Sequence, residues 1–403
     1  MARLESMAQT FGALRMPLTG LADEETVAAP EARLRSDRPL TLHSVAAHEW
    51  DACVADFDEI SQQQTLVFAS RRWRSIVPEP VVFCMDQKIV GGALVMVQPI
   101  AFGIGAVAVV NGGPMFRDAR IAGRAEIHRA MIGLLVREYA KRRHMMLTVQ
   151  LHAATAPEDA HYDDLLSSGF ERSSELPFPD RYLVNLQSAD DAHRKSLHQK
   201  WRYHLAKSEK EGLVFEHAGT DAVGRFTALY EAMSQRKNFP DYSAFGTLPA
   251  LLNAEEAALR PELFFVRQND ETVAGAAIFK AGETASYLYG ATSDRALPLR
   301  AGYFMHWHII RWLKQNTRAR WYDLGGTDGF HGLHQFKKGL VGDCGIIAAV
   351  PPRANFASGR FPLLLGRGAF AVRDAFHATR RLVGSLWDHH AKPDLTPGKT
   401  RSE

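Results

Sequence analysis

Trp321-Tyr322-Asp323-Leu324-Gly325-Gly326, followed by Leu333-His334-Gln335-Phe336-Lys337-Lys338-Gly339, decides how this 403-residue chain reads. It is the end of a buried strand, a glycine break, and a second short element with an aromatic beside two lysines. The glycines let backbone approach backbone or ligand closely. A lysine fixed after such a turn can set a positive charge where an oxyanion or phosphate must be held. Taken alone, a Lys-Lys pair reads as a solvated loop. Asp323 at the strand end can receive an amine or act as a base. Its favoured reading is structural, because an aspartate there usually caps the turn.

Upstream of this stretch, Tyr303–Asn316 has helical spacing. Thr272–Lys280 and Thr284–Ala291 alternate as a hairpin pair, Glu262–Arg267 is a strand, and Leu248–Leu259 and Asp221–Lys237 are helices. Ala192–Glu211 reads as one long basic helix stopped by Gly212, in the usual place after a helix end. The first half repeats that order. Helices at 49–57 and 65–75 precede strands Pro80–Met85 and Lys88–Gln98, joined at Asp86-Gln87. Ile104–Val110, a helix over Ala125–Arg142 and the strand Met145–Leu151 follow. The fold class is therefore α/β (α+β layers): two tandem domains at 41–190 and 191–350, each a mixed β-sheet flanked by helices. Residues 1–40 read as a flexible arm with a short helix near Met7–Leu14, and 351–403 as a tail. The tail helix, Ala369–Trp387, sets Phe370, Phe376, Val383, Leu386 and Trp387 along one side, near Arg373, Arg380 and Arg381. Packing of that side on the second domain is preferred over peripheral contact with a membrane.

A hydrophobic share of 46% and a charged share of 23% exclude the disordered and membrane-embedded classes. The net charge of +3 permits an anionic partner without demanding nucleic acid. Cys53, Cys84 and Cys344 lack paired spacing and read as reduced thiols, which favours a cytoplasmic setting, with or without contact at the inner face of the membrane. No apolar run reaches the ~18 residues of a membrane span, and no signal peptide is evident. Cys-x-x-Cys, His-Glu-x-x-His and Gly-x-Ser-x-Gly are missing, and His306 and His308 diverge on a helix, so no metal or covalent nucleophile is expected.

Three patches together resemble the FemABX peptidoglycan-bridge aminoacyltransferases and their GNAT-fold relatives, including BioF2-like acetyltransferase domains. They are Gly112-Gly113-Pro114 after an apolar strand, the basic helix Lys200–Lys210 ending at Gly212, and the Tyr322–Gly339 stretch. The resemblance covers most of 41–350 and implies two GNAT-like domains. It also implies transfer of an acyl group, commonly an amino acid from aminoacyl-tRNA, onto an amine of a peptidoglycan precursor. Phe336 and Lys337 match positions that in the family contact the tRNA acceptor end and stabilise the transition state. A well-placed donor to the tetrahedral oxyanion is worth about 2.7–4 kcal/mol, and an aromatic face stacking a terminal base about 1–3 kcal/mol. The long helical arm of some family members has no counterpart here.

Other candidate contacts are weaker. Arg202 and Lys207, on the helix carrying Lys195, Lys200, Lys210, His198 and His204, are placed to meet phosphates of a nucleotide-linked precursor, tRNA or CoA. Leu297-Pro298-Leu299-Arg300-Ala301-Gly302 is a degenerate version of the pyrophosphate loop of CoA-dependent enzymes; Arg300 and Gly302 are its candidates, against a plain turn into the helix. Tyr303 is a candidate proton donor or substrate contact, against packing.

The expected activity is an acyltransferase moving an aminoacyl or acyl group onto an amine of a cell-envelope precursor. Lys337 holds developing charge, Asp323 assists, Phe336 organises the donor, and no cofactor is tightly bound; the donor is acyl-CoA or aminoacyl-tRNA. Two alternatives stand: an acyl-CoA-dependent N-acyltransferase of polysaccharide or small-molecule metabolism, and a non-catalytic protein binding precursors or RNA.

Overall fold

The computed structural model describes residues 39–73, 75–100, 103–156, 161–237 and 244–372. The short helix expected at Met7–Leu14 lies outside them. In the first sheet lie β1 (Thr41–Ser44), β2 (Val77–Met85), β3 (Lys88–Pro99), β4 (Ala106–Asn111), β5 (Met115–Phe116), β6 (Met146–Gln150) and β7 (Glu171–Arg172). The second holds β8 (Asp180–Asn185), β9 (Val214–Ala218), β10 (Glu262–Gln268), β11 (Glu271–Phe279), β12 (Thr284–Thr292), β13 (Trp321–Asp323) and β14 (Ile346–Ala349). A last strand, β15 (Ala354–Phe356), returns to the first sheet.

The strand orders are β1-β2-β3-β4-β6-β15-β7, with β5 on β3, and β14-β8-β13-β12-β11-β10-β9. Each sheet has one parallel pair among its described strands: β4 with β6, and β12 with β13. Both open with a two-residue hairpin in equivalent places. Asp86-Gln87 and Asn269-Asp270 all have positive φ, the handedness that matches strand twist. These are two mixed sheets flanked by helices, in tandem. Sheet membership crosses residue 190, however: β8 joins the second sheet, between β13 and β14, and β15 inserts between β6 and β7.

The sheets share a core. Trp50, Phe57, Ile60, Val82 and Leu94 pack with Leu259, Phe279 and Ala281 from the second half, each large side chain contributing about 1.5–3 kcal/mol by leaving water. The Glu283 amide donates to the Asp58 carbonyl at 2.7 Å, and Arg318 Nη1 to the Asp58 carboxylate at 2.6 Å. Both sheets accordingly belong to one compact unit.

Four elements differ from the sequence reading. The helix expected over Ala192–Glu211 is two, Asp190–Ser196 and Gln199–Ser208. Leu197 and His198 are extended between them. The break frees the His198 amide to donate to Gly339 at 3.1 Å, and Arg202 Nη1 takes up the carbonyls of Lys195 and Leu197. Tertiary contact with the lysine-bearing helix has overridden helix propensity. The run Leu248–Leu259 is a short helix, Leu248–Leu252, and a separate 3₁₀ turn, Ala257–Leu259. Ala125–Arg142 loosens into a π-helical segment from Val136 onward. The tail, finally, turns helical from residue 360, ahead of Ala369, and there it lies on the first sheet: a side chain at Gly366 would strike Met146, and one at Gly105 would strike Leu365. The rest of the predicted tail helix, from residue 373, lies outside the described residues.

No helix among the described residues is long and apolar enough to cross a membrane.

Candidate active site

The deciding stretch folds as β13, a turn, and the helix His331–Val341. Gly325 makes the turn with φ +77°, a conformation costing an ordinary residue about 1–2 kcal/mol. The turn is pinned to β8, because the Leu324 amide donates to the Tyr182 carbonyl at 2.9 Å.

Lys337 points back from the helix into this turn and is only 6% exposed. Its Nζ donates to the carbonyls of Leu324, at 2.6 Å, and Gly326, at 2.5 Å. An ammonium has three donors, so one remains. Burial, helped by the nearby Arg181 guanidinium, pulls the lysine down to about 8, although Asp323 and Asp328 act against that. It is a fixed cation near neutral pH that a modest rise in pH discharges.

Asp323 lies beside it, with both carboxylate oxygens hydrogen-bonded. Its Oδ2 accepts from Arg181 Nε at 3.0 Å and Nη2 at 2.7 Å, and its Oδ1 from the Gly325 amide at 2.8 Å. Arg181 was not singled out in the sequence. Its signal is period two: Arg181 and Leu183 share a β8 face, and Leu183 pairs with Asp323. A Cβ built on Gly325 would sit 3.7 Å from Lys337 Nζ and 3.9 Å from Arg181 Nη1, so one small volume separates the two cations.

Phe336 stands in an aromatic group with Tyr303 (ring centroids 4.9 Å apart, edge-on), His306 (5.6 Å) and Trp201 (5.8 Å). It is half-buried at the edge of the second core. Gly302 adjoins it, 3.8 Å separating a built Cβ from the Phe336 ring. Behind Phe336, His306 shares a hydrogen bond with the Tyr322 hydroxyl at 3.1 Å. Burial and the Lys337 charge hold that imidazole down at about 3, so it stays neutral.

The remaining candidates do not converge on Lys337. Arg300, left-handed at φ +55°, opens the helix Ala301–Asn316; its Nε donates to His204 at 3.2 Å and its Nη1 to the Pro298 carbonyl at 2.9 Å. Arg202 is committed to the carbonyls of the helix break described above. Lys207 is exposed, its ammonium 5.7 Å from the Tyr203 ring.

The first sheet supplies what the sequence reading left as a Gly-Gly-Pro signal. Gly112 has φ +65° and Gly113-Pro114 is cis. Gln64 holds the end of β4 by donating to the Asn111 carbonyl at 2.6 Å and accepting the Leu94 amide at 2.7 Å. His152, two residues past β6, lies over Gly112: a Cβ there would be 2.5 Å from ring atoms Cε1 and Nε2. The same imidazole feels both Arg181 and Asp323 of the second sheet. The carboxyl ends of β6 and β13 are thus within electrostatic reach of each other, and such strand ends are where open α/β sheets put ligands. Among the described residues, no group of three or more His, Cys, Asp or Glu could hold a metal ion.

Residues 192–338 match the acetyltransferase (GNAT) domain family. No curated protein matches the chain by sequence. In three dimensions the chain is similar to FemX, with a TM-score of 0.64 and 16% identity over 79% of this chain and 97% of that one. It is also similar to a conserved protein of unknown function from Bacteroides thetaiotaomicron, with a TM-score of 0.52 and 12% identity over 78% and 98% of the two chains. At such identities the likeness is one of fold. The chain therefore carries a region of the acetyltransferase (GNAT) domain family within a two-sheet fold similar to that of FemX.

Proposed function

We propose that the site built around Lys337 transfers an aminoacyl or acyl group to a primary amine of a cell-envelope precursor, peptidoglycan above all. One observation carries this reading: a nearly buried ammonium held by two turn carbonyls, with a donor to spare, close to the Arg181 guanidinium. Attack of an amine on an ester or thioester creates an oxyanion, and a pre-oriented cation stabilises it without reorganisation. Arg181, locked by Asp323, adds a second positive charge and keeps the carboxylate away from that oxyanion. Phe336, at the edge of the aromatic group, offers a face to the donor.

The match to an acetyltransferase domain favours a second reading, in which the donor is acyl-CoA and the acceptor a polysaccharide or small-molecule amine. Thermal stabilisation separates the two, because a ligand bound only by the folded state raises the melting point. Acetyl-CoA, a long-chain acyl-CoA and an aminoacyl-tRNA mimic are compared, followed by transfer to an amine acceptor. A shift with the RNA mimic and label appearing on the amine support aminoacyl transfer. A shift and free thiol with CoA esters alone select the second reading. No label on the amine from any donor overturns both.

A further inference from the structure

An amine acceptor reaches the site as an ammonium, since alkylamines bind protons up to about pH 10.4. It must lose a proton before or during attack. The junction is a poor place for an ammonium, because Arg181 and Lys337 are both cationic there. Asp323 does not serve as the base: its Oδ2 is occupied twice by Arg181 and its Oδ1 by the Gly325 amide. Lys337 has two of its three donors committed to carbonyls, an arrangement that holds it as a cation.

We infer that His152 is the proton acceptor for the attacking amine. This inference rests on the acyl-transfer reading of the Lys337 site.

Position comes first. His152 follows β6 at its carboxyl end and lies over Gly112, where only a glycine leaves room for the ring. It belongs to the first sheet, while the oxyanion-holding lysine belongs to the second. A donor carbonyl between them would meet the amine from one side and the cation from the other. His152 is an exposed residue, as a group that must meet substrate requires.

Tautomer comes second. The Gly112 backbone beside the ring favours its protonated form, against the larger effects that lower it. A neutral imidazole carries one N–H and one lone pair, so either tautomer leaves a nitrogen able to take a proton. Charge comes third. Arg181 and Asp323 face the ring from the second sheet, and the Gly112 backbone from its own. Crowding by the surrounding protein and the Arg181 charge together outweigh Asp323 and the Gly112 backbone, so the imidazole lies below its ordinary 6.5.

The step balances. The acceptor first releases its ammonium proton to solvent. The free amine's lone pair then forms the C–N bond while His152 takes a second proton from the attacking nitrogen, and the carbonyl π electrons become the oxyanion beside Lys337. Collapse breaks the C–O or C–S bond, and the leaving oxygen or sulfur receives the proton from the imidazolium.

The test is kcat/KM against pH for the wild type, His152→Gln and His152→Ala, using whichever donor the wild type accepts. We expect a loss of 10²–10⁴-fold at pH 7 in both variants. The rising limb below 6.5 should disappear, leaving the limb of the acceptor amine and the fall as Lys337 discharges, and added imidazole should partly rescue His152→Ala. A His152→Gln enzyme within twofold of wild type, with its acid limb intact, overturns the inference while the acyltransferase reading stands. A wild type that transfers from no donor overturns that reading, and this inference with it. Melting curves of both variants show whether a loss is chemical or a failure to fold, and rescue of His152→Ala by imidazole distinguishes a proton acceptor from a packing residue.

Discussion

The ammonium of Lys337 donates to the carbonyl of Leu324 at 2.6 Å, joining the helix His331–Val341 to the turn that ends β13. The Leu324 amide in turn donates to Tyr182 in β8. The charge is therefore held on a rigid strand rather than a mobile loop, which is what electrostatic stabilisation of a transition state needs.

Lys337→Ala should lower kcat by about 10²–10³-fold, the usual cost of one oxyanion donor. KM should move little if the lysine acts only in the transition state. Steady-state kinetics and far-ultraviolet circular dichroism check this. A folded Lys337→Ala enzyme turning over at the wild-type rate would sink the assignment.

The same lysine makes stability depend on pH, and the sign is fixed. Its folded value, about 8, lies below the ordinary 10.5, so the unfolded chain binds the extra proton between those values. Stability relative to Lys337→Met should then rise with pH across that window, by about 2 kcal/mol between pH 8 and 9.5, at 1.36 kcal/mol per pH unit. Activity should fall over the same range as the cation discharges. Urea midpoints of the two proteins at pH 7.5 and 9.5 measure the first effect; a difference that does not change with pH would contradict the burial of the charge.

Much of this frame is legible in the sequence. Alternating runs fix both sheets, and glycine after an apolar strand marks the turn at Gly325. What is not legible depends on contacts distant in the chain. Nothing local says that Leu197 and His198 interrupt a basic helix, because the gain is a hydrogen bond to Gly339, far along the chain. Nothing local marks Arg181 or His152 either, since each acquires meaning only when β8 and the end of β6 are brought up to β13. Lys337 and Phe336 stand out in the sequence because the family pattern lies in that one stretch.

Arg181→Met should act at two places. It leaves the Asp323 carboxylate, 13% exposed, without its ion-pair partner. Because Arg181 is itself one-third exposed, the loss should be about 2 kcal/mol rather than the 3–5 kcal/mol of a fully buried pair. It also removes a positive neighbour that depresses Lys337, so the pH at which activity falls should move upward. A stable variant with an unshifted basic limb would show that Arg181 is not coupled to the lysine.

Gly325→Ala separates strain from crowding. The added Cβ would meet Lys337 Nζ at 3.7 Å, an ordinary contact, so the cost is the left-handed backbone, about 1–2 kcal/mol. Denaturation should show that loss, with kcat reduced less than in Lys337→Ala. A loss of activity equal to removing the lysine would mean that the turn relaxes and carries the ammonium out of place.

The stretch 192–338 looks like a domain by family resemblance, yet it should not fold alone. It omits β8, which lies between β13 and β14 and accepts the Leu324 amide, and it omits β14 itself. It also strips the cover from Leu259, Phe279 and Ala281, which pack against Trp50, Phe57 and Ile60 of the first half. Expressed by itself, this fragment should show no cooperative unfolding. The full chain should lose the signals of Trp50 and Trp307, on opposite sides of residue 190, in one transition, because a core that crosses the sheets makes them one unit. A cooperative melt of the fragment, or two separated transitions in the full chain, would show that the shared core contributes less than its burial implies.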